Sequence, residues 1–401
     1  MLPFYIIAAV VTCIGLYLWV KQHSIVWWEA IVGALLAFLL AGVAHFAAFK
    51  GMTHDKETFS GQAVRVIFHP WWKDRVRHTR TVTHGSGKNS YTTTETYYTE
   101  TEHDPYWECV GAFGSYLPSR EFKISKNFHD VLSRDFGGNV KAVRGHRPDF
   151  DEGDRNDYVT DNETGIFVPM NTWVSFENRI KAGPSLYDFA TVPEGVPVLP
   201  YPKNKNPFQS DRLLGTAKQT VSLLEWDRMN SRVGSKRKAN VILVGFGPDS
   251  DNIMGQYQQA AWLGGKKNDL VICYGGGTPH KPQWAYTFGW TDKEIVKANL
   301  NSLLLEGPVD STIIPKIEEE IHANYQIKEW DDFNYLSVEP PGWVIWVYLL
   351  VVILVQGGYY TWAALNKFDE DSPHGRRRNF GSVGRRVKFP KVGFSPRRRR
   401  W

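Results

Sequence analysis

Three long apolar runs interrupt an otherwise polar chain: residues 2–20, residues 25–49, broken only by Glu29 and His45, and residues 343–365. A helix of about 20 apolar residues crosses the roughly 30 Å hydrocarbon core of a bilayer, so each run predicts a transmembrane span. The link between the first two runs is only residues 21–24, which folds them into an antiparallel helical hairpin. In the second run Ala30, Ala34, Ala37, Ala41, Ala44 and Ala48 recur every three or four positions. Helices in lipid associate through close van der Waals fit, so this small-residue stripe is expected to pack against the first span. Trp343 and Trp346 at one end of the third run, and Tyr359, Tyr360 and Trp362 at the other, read as interfacial aromatic belts.

Between the second and third runs the pattern changes twice. Residues 62–68 alternate and are β-branched, the signature of a strand. Residues 79–83 and 90–102 are dense in Thr, Tyr and charge, and they flank His84-Gly85-Ser86-Gly87-Lys88, which predicts a long exposed β-hairpin. The Gly-rich turn lacks the spacing of a phosphate-binding loop and opens no helix. Further strands are expected at 107–111 and 121–125, then an amphipathic helix over 128–136. This first part, residues 50–200, reads as β-rich. The five prolines at 193, 197, 200, 202 and 207 mark a linker and a domain boundary, with residues 201–213 assigned to the linker.

Beyond it, residues 240–246 form a continuous apolar strand, followed by a Gly-Pro-Asp turn and a helix carrying Ile253, Met254, Tyr257, Ala260, Ala261 and Leu263. A second apolar strand covers 269–274 and a third 283–288. Thr291 with Glu294 has the spacing of a capping box, predicting a helix from there, and another helix spans 315–325. Apolar strands alternating with helices predict a sheet covered on both faces.

Charge sets an orientation. Residues 366–401 hold twelve Lys/Arg against three acids, a net +9, whereas residues 50–341 hold 34 bases and 38 acids, a net −4. Lys and Arg flanking a span stay in the cytoplasm. The expected topology therefore has the basic tail inside, as in a bacterial inner membrane or its equivalent. The large region and the N-terminus lie outside. The first run has no basic leader and no small-residue cleavage site, so it reads as a span rather than a signal peptide. Three cysteines exclude a disulfide scaffold; Cys109 and Cys273 are left as one bridge or, preferably, two buried thiols.

Candidate chemistry is sparse. Glu29 is an intramembrane carboxylate and so a functional candidate by default, although a depth of barely one turn favours interfacial snorkelling, and His45 sits near the other end. The acids Asp149, Asp151, Glu152, Asp154, Asp157 and Asp161 cluster in what reads as a solvated loop, out of register for an EF-hand. The histidines show no paired metal-ligand spacing.

The stretch Trp262-Leu263-Gly264-Gly265-Lys266-Lys267-Asn268-Asp269-Leu270-Val271-Ile272, and the corner Phe288-Gly289-Trp290-Thr291-Asp292, resemble the TPM domain over residues 214–336. The chain has Asn268-Asp269 where that family has Asn-Gly, and Gly289 alone where it has Gly-x-Gly. The resemblance implies a TPM-like α/β three-layer domain, extracytoplasmic or lumenal and membrane-anchored. It also implies a divalent-cation site (Ca²⁺ or Mg²⁺) at Asp269 and Asp292. Some members act as acid phosphatases and others in assembly or repair. The overall layout also resembles uncharacterised membrane proteins of bacteria and their phages.

The tail carries Arg376, Arg377, Arg378, Arg385, Arg386, Lys388, Lys391, Arg397, Arg398, Arg399 and Arg400 among Gly, Ser, Pro and Phe. Such a segment buries too little apolar surface to fold alone. Each base near an anionic leaflet gains about 1 kcal/mol, so lipid contact is preferred over nucleic acid as its partner. The sequence thus predicts an α+β membrane protein with three transmembrane helices, a β-rich ectodomain part (50–200), a TPM-like α/β domain (214–338) and a basic tail (366–401). The function expected is extracytoplasmic interaction or assembly with a protein partner. A metal-dependent phosphatase and a nucleic-acid tether are the alternatives.

Overall fold

The computed structural model describes residues 2–22, 25–85, 90–183, 189–203, 206–278 and 280–366. The tail arginines and Lys388 and Lys391 lie outside the described residues. The chain divides into two compact units, Met1–Ala47 with Pro341 onward, and Ala48–Pro340.

The first unit is built from α1 (Leu2–Val20), α2 (Trp27–Thr53) and the last helix, α10 (Gly342–Asn366). Among the described residues these three are long and apolar enough to cross a membrane. Contacts advance in the same direction along α1 and α10, Phe4 meeting Tyr348 edge-on at 5.0 Å and Gly15 meeting Tyr360. They run the opposite way along α2, where Tyr5 bonds His45 Nδ1 at 3.0 Å and Gly33 also meets Tyr360. A Cβ on Gly15 or Gly33 would lie 2.3 or 2.4 Å from the Tyr360 hydroxyl, so glycine there admits the ring. Gln356 Nε2 donates to the Gly33 carbonyl at 3.1 Å and Tyr359 to the Glu29 carbonyl at 2.9 Å. The alanine stripe is buried at Ala30, Ala37 and Ala41, and its face meets α10 as well as α1. Glu29 is enclosed; its Oε2 accepts the Val26 N–H at 2.9 Å.

In the second unit β1 (His54–His69) is one 16-residue strand. After Pro70 and Trp71 come β2 (Trp72–His84), β3 (Tyr91–His103), β4 (Tyr106–Ala112), β5 (Arg120–Ile124), α3 (Lys126–Asp135), β6 (Val140–Arg144), β7 (Phe150–Gly153), β8 (Asn156–Asp161), β9 (Pro169–Glu177) and α4 (Arg179–Ala182). The main sheet has the order β5-β4-β1-β8-β6, with β9 pairing the first half of β1; all these pairs are antiparallel. Helix α3 covers one face through Leu132, over Ala63, Val66, Cys109, Phe113, Phe136 and Met170. The acidic run 149–161 is not a loop. It forms β7 and β8, and the turn between them is made by Asp154, which accepts the Asn156 N–H at 2.9 Å and the Tyr158 hydroxyl at 2.7 Å.

The remainder supplies β10 (Leu213–Gly215), α5 (Ala217–Thr220), α6 (Leu223–Arg237), β11 (Asn240–Gly245), α7 (Ile253–Ala261), β12 (Asp269–Gly275), β13 (Trp284–Gly289), α8 (Ile295–Glu306) and α9 (Ile314–Asn324). The sheet order is β10-β11-β12-β13, parallel except for the last pair. Apart from Asn240 and Asp269 at their starts, the central strands β11 and β12 are apolar because both faces are covered. Val241, Leu243, Leu270 and Ile272 face α6, α8 and α9, while Ile242, Val244, Val271 and Cys273 face Trp262, Trp284 and Phe288. Thr291 does not cap α8. That helix starts at Ile295 without a side-chain cap; the Thr291 hydroxyl donates to the Gln326 carbonyl at 2.8 Å and accepts the Lys293 N–H, ahead of the helix, at 3.2 Å. Cys109 and Cys273 are free, buried thiols in different sheets.

The two sheets share a polar seam. Arg212, 1 % exposed, donates to Asn240 Oδ1 (2.7 Å), Asp227 Oδ1 (3.1 Å), Ser60 Oγ (2.6 Å) and Asn171 Oδ1 (2.7 Å). Helix α6 lies directly on β1, with the Ser60 carbonyl 3.0 Å from where a Cβ on Gly234 would stand.

Candidate functional site

Helix α7 ends at Ala261, and the chain then takes three successive left-handed residues, Leu263 (φ 53°), Gly264 (φ 80°) and Gly265 (φ 89°). Left-handed backbone costs a β-carbon-bearing residue about 1–2 kcal/mol, which Gly264 and Gly265 avoid. A Cβ on Gly264 would stand 2.7 Å from the Trp290 ring, and one on Gly265 3.1 Å from Asp269 Cβ. This turn carries Lys266, Lys267 and Asn268 across the seam to β1. Lys266 Nζ reaches both Asp55 oxygens at 2.5 Å, and Asn268 Nδ2 donates to the Thr58 carbonyl at 2.7 Å. Asn178 Nδ2 adds a third bond to Asp55 at 2.9 Å.

The Pro-rich stretch closes over the turn. Gln258 grips the Leu199 backbone from both sides, Oε1 accepting its N–H and Nε2 donating to its carbonyl, each at 2.9 Å. Trp262 Nε1 donates to the same carbonyl at 2.9 Å. Proline lacks an N–H, so Leu199 supplies the backbone donor and acceptor that dock this strap. Under it is a cleft of about 410 Å³, lined on one side by Val198, Leu199, Pro200, Trp262 and Leu263 and on the other by Asp55, Asn178, Lys181 and Lys266. It has the size of a small-molecule pocket. Its chemistry is an apolar wall facing one fixed ammonium–carboxylate pair, which suits an amphipathic group.

Asp269 lies behind this cleft and is fully buried. Asn240 Nδ2 donates to its Oδ1 at 2.7 Å; the Tyr201 hydroxyl (2.9 Å) and the Lys266 N–H (2.7 Å) donate to its Oδ2. Burial pushes its carboxyl above the usual range against those three bonds, and pushes the Tyr201 phenol well up. Burial opposes ionisation of Asp55 too, but Lys266 and Asn178 outweigh it and hold that carboxyl low. Glu57, next on the same face of β1, has no such partner. Its Oε2 is buried and unbonded, and burial raises its carboxyl to about 7. Asp292 is exposed, with its backbone N–H bonded to the Gln326 carbonyl at 3.0 Å. The two carboxylates singled out by sequence therefore do not share one solvent-facing site. Among the described residues no group of three or more His, Cys, Asp and Glu is placed to hold a metal ion.

A second feature stands apart from the cleft. Strands β2 and β3 pair without a register shift from Trp72↔His103 to His84↔Tyr91. Their sheet gains only β7, which pairs Trp72, Lys73 and Asp74. The base of this arm is fixed by stacking. Trp72 lies between the Arg147 guanidinium (4.4 Å) and His103 (4.3 Å), and His69 is held by Asp157 (2.9 Å) and Glu108 (3.1 Å). Farther out both faces are open, with Tyr91 63 %, Tyr97 50 % and Tyr98 50 % exposed.

The sequence pointed to the hairpin and to Asp269, but it missed Tyr201, Asp55 and Glu57. Two signals were available. Leu199 and Tyr201 are bulky for a linker, and Asp55 and Glu57 alternate with Phe59 on one side of a strand. A scan against protein-family models, a search of curated proteins and a search of solved structures each find no match for this chain.

Proposed function

We propose that this chain is a membrane-anchored interaction or assembly protein whose contact element is the β2–β3 arm. Three apolar helices hold it in the bilayer, with the folded unit outside and the basic tail on anionic lipid inside. The observation that carries the reading is the arm itself: 13 paired residues per strand, rigidly rooted, with both faces and most of both edges unused. A two-stranded ribbon is marginal alone in water, and exposed tyrosines at low entropic cost are a usual means of binding proteins. The TPM-like reading of residues 214–336 goes with it, and the sheet covered on both faces is in keeping with that resemblance. A divalent-metal phosphatase centred on Asp269 is less well supported, since hydrogen bonds from Asn240, Tyr201 and Lys266 already engage both of its oxygens.

The test compares the full chain in native membranes with a variant in which residues 76–99 are replaced by a two-residue turn. A short-reach cross-linker is expected to give adducts with the full chain and none with the shortened arm. Equal adducts from both would contradict the reading. Phosphomonoester turnover dependent on Ca²⁺ or Mg²⁺ and abolished by Asp269→Ala would replace it with the enzymatic one.

A further inference from the structure

We infer that the partner of the arm is a second copy of this chain, the outer edge of β3 pairing with the outer edge of β2 in the neighbour. This inference rests on the interaction reading above and names its partner. Among the described residues no strand pairs the outer edge of β3, and beyond Asp74 none pairs that of β2. Natural sheets blunt such edges with charged side chains, lysine above all, with proline, with bulges or with very short strands. This arm carries charge but none of the other devices: residues 76–84 and 91–103 contain neither Pro nor Lys, their pairing has no bulge, and the charges are of opposite sign on the two strands. The open stretch of β2, nine residues, is about 30 Å long at 3.4 Å per residue, enough for a stable strand pair.

Charge selects which edge meets which. Along β2 the charged residues are Lys73, Asp74, Arg75, Arg77 and Arg80, a net +3; along β3 they are Glu95, Glu100 and Glu102, a net −3. Within one arm Arg80 pairs with Glu95 at 2.8 Å and Lys73 with Glu100 at 2.6 Å. Joining β3 to β3 of a second copy would set two acidic strands side by side, and like charges across a sheet are destabilising. Joining β3 to a neighbour's β2 continues the alternation of basic and acidic strands. The contact is then heterologous, one edge of each copy meeting the other edge of the next, and such contacts repeat into rings or open chains.

The experiment uses the full chain in detergent with Cys13→Ser, since Cys109 and Cys273 are buried. Two differently tagged single-cysteine versions, Thr81→Cys on β2 and Thr96→Cys on β3, are treated with a short bis-maleimide alone and after mixing, and the mass in solution is measured by light scattering. The expected result is a mass of two or more copies, with cross-linked product from the mixture and none from either version alone. Arg77→Glu with Arg80→Glu is expected to abolish the product. A single-copy mass overturns self-pairing but leaves the interaction reading to its own test with the shortened arm. Product from Thr96→Cys alone, or an assembly with no product in any mixture, overturns this edge-to-edge pairing as well.

Discussion

Glu57 stands on β1 with Asp55 and Asp269 raising its proton affinity and Lys267 and Lys238 lowering it, all of them secondary to burial. Its carboxyl titrates near 7 when folded against an ordinary 4.5, so between those values the folded protein holds a proton that the unfolded chain has lost. Stability contributed by this group is complete below pH 4.5 and drains as pH rises to 7, by about 3 kcal/mol at 1.36 kcal/mol per unit. Glu57→Gln removes the titration. The variant is expected to match the wild type at pH 4.5 and to exceed it at pH 8, checked by denaturant titration at both. A wild type that gains on the variant with rising pH would contradict the assignment. Lys266 gives a second case. Lys266→Met strands Asp55 in a poor dielectric and is expected to cost about 3 kcal/mol. Adding Asp55→Asn is expected to recover much of that, so the thermodynamic cycle reads a large coupling.

At the scale of elements, the arm and its root make separable predictions. Trp72→Ala removes the plate between Arg147 and His103, leaving the main sheet's hydrogen bonds in place. Trypsin is expected to cut at Arg75, Arg77 and Arg80 several-fold faster, by local opening, while the thermal midpoint of the folded unit moves little. A midpoint that falls together with faster cutting would mean that the arm and the sheet unfold as one. Here the sequence was easy to read. The alternation in Gln62–Phe68 and in both strands of the arm, and the unbroken apolar run at 240–246, are period signals that need no tertiary information. Thr291 was misleading for a physical reason: its hydroxyl donates to the Gln326 carbonyl and accepts the Lys293 N–H at 3.2 Å, which closes a local turn two residues before α8 begins at Ile295. The acidic run 149–161, solvent-exposed at Asp149, Asp151 and Glu152, reads as a loop because charge hides strands. Pairing with β2 and β1 decides those residues, and pairing is non-local. The cleft was unreadable for the same reason, since Asp55, Tyr201 and Lys266 meet across 211 residues of chain.

For the whole molecule, the seam predicts that residues 48–340 behave as one cooperative body. Arg212→Leu leaves Asp227, Asn240, Ser60 and Asn171 without their shared donor, and losing a buried charged partner costs about 3–5 kcal/mol. The wild-type unit is expected to melt in a single transition, and the variant well below it. Two transitions in the wild type, one for each sheet, would show that the seam does not couple them. The three long apolar helices were the most legible feature of all, because length and hydropathy decide them locally, whereas the proposed sidedness rests on charge placed far from the folded unit. That sidedness supports the whole functional account, and labelling tests it directly. In a Cys13→Ser background, a cysteine at Thr81 in the arm and another at Ser382 in the tail are each exposed to an impermeant maleimide on intact cells. The account predicts that Thr81→Cys reacts at once and Ser382→Cys only after permeabilisation. Prompt reaction at Ser382→Cys with a sheltered Thr81→Cys would contradict it.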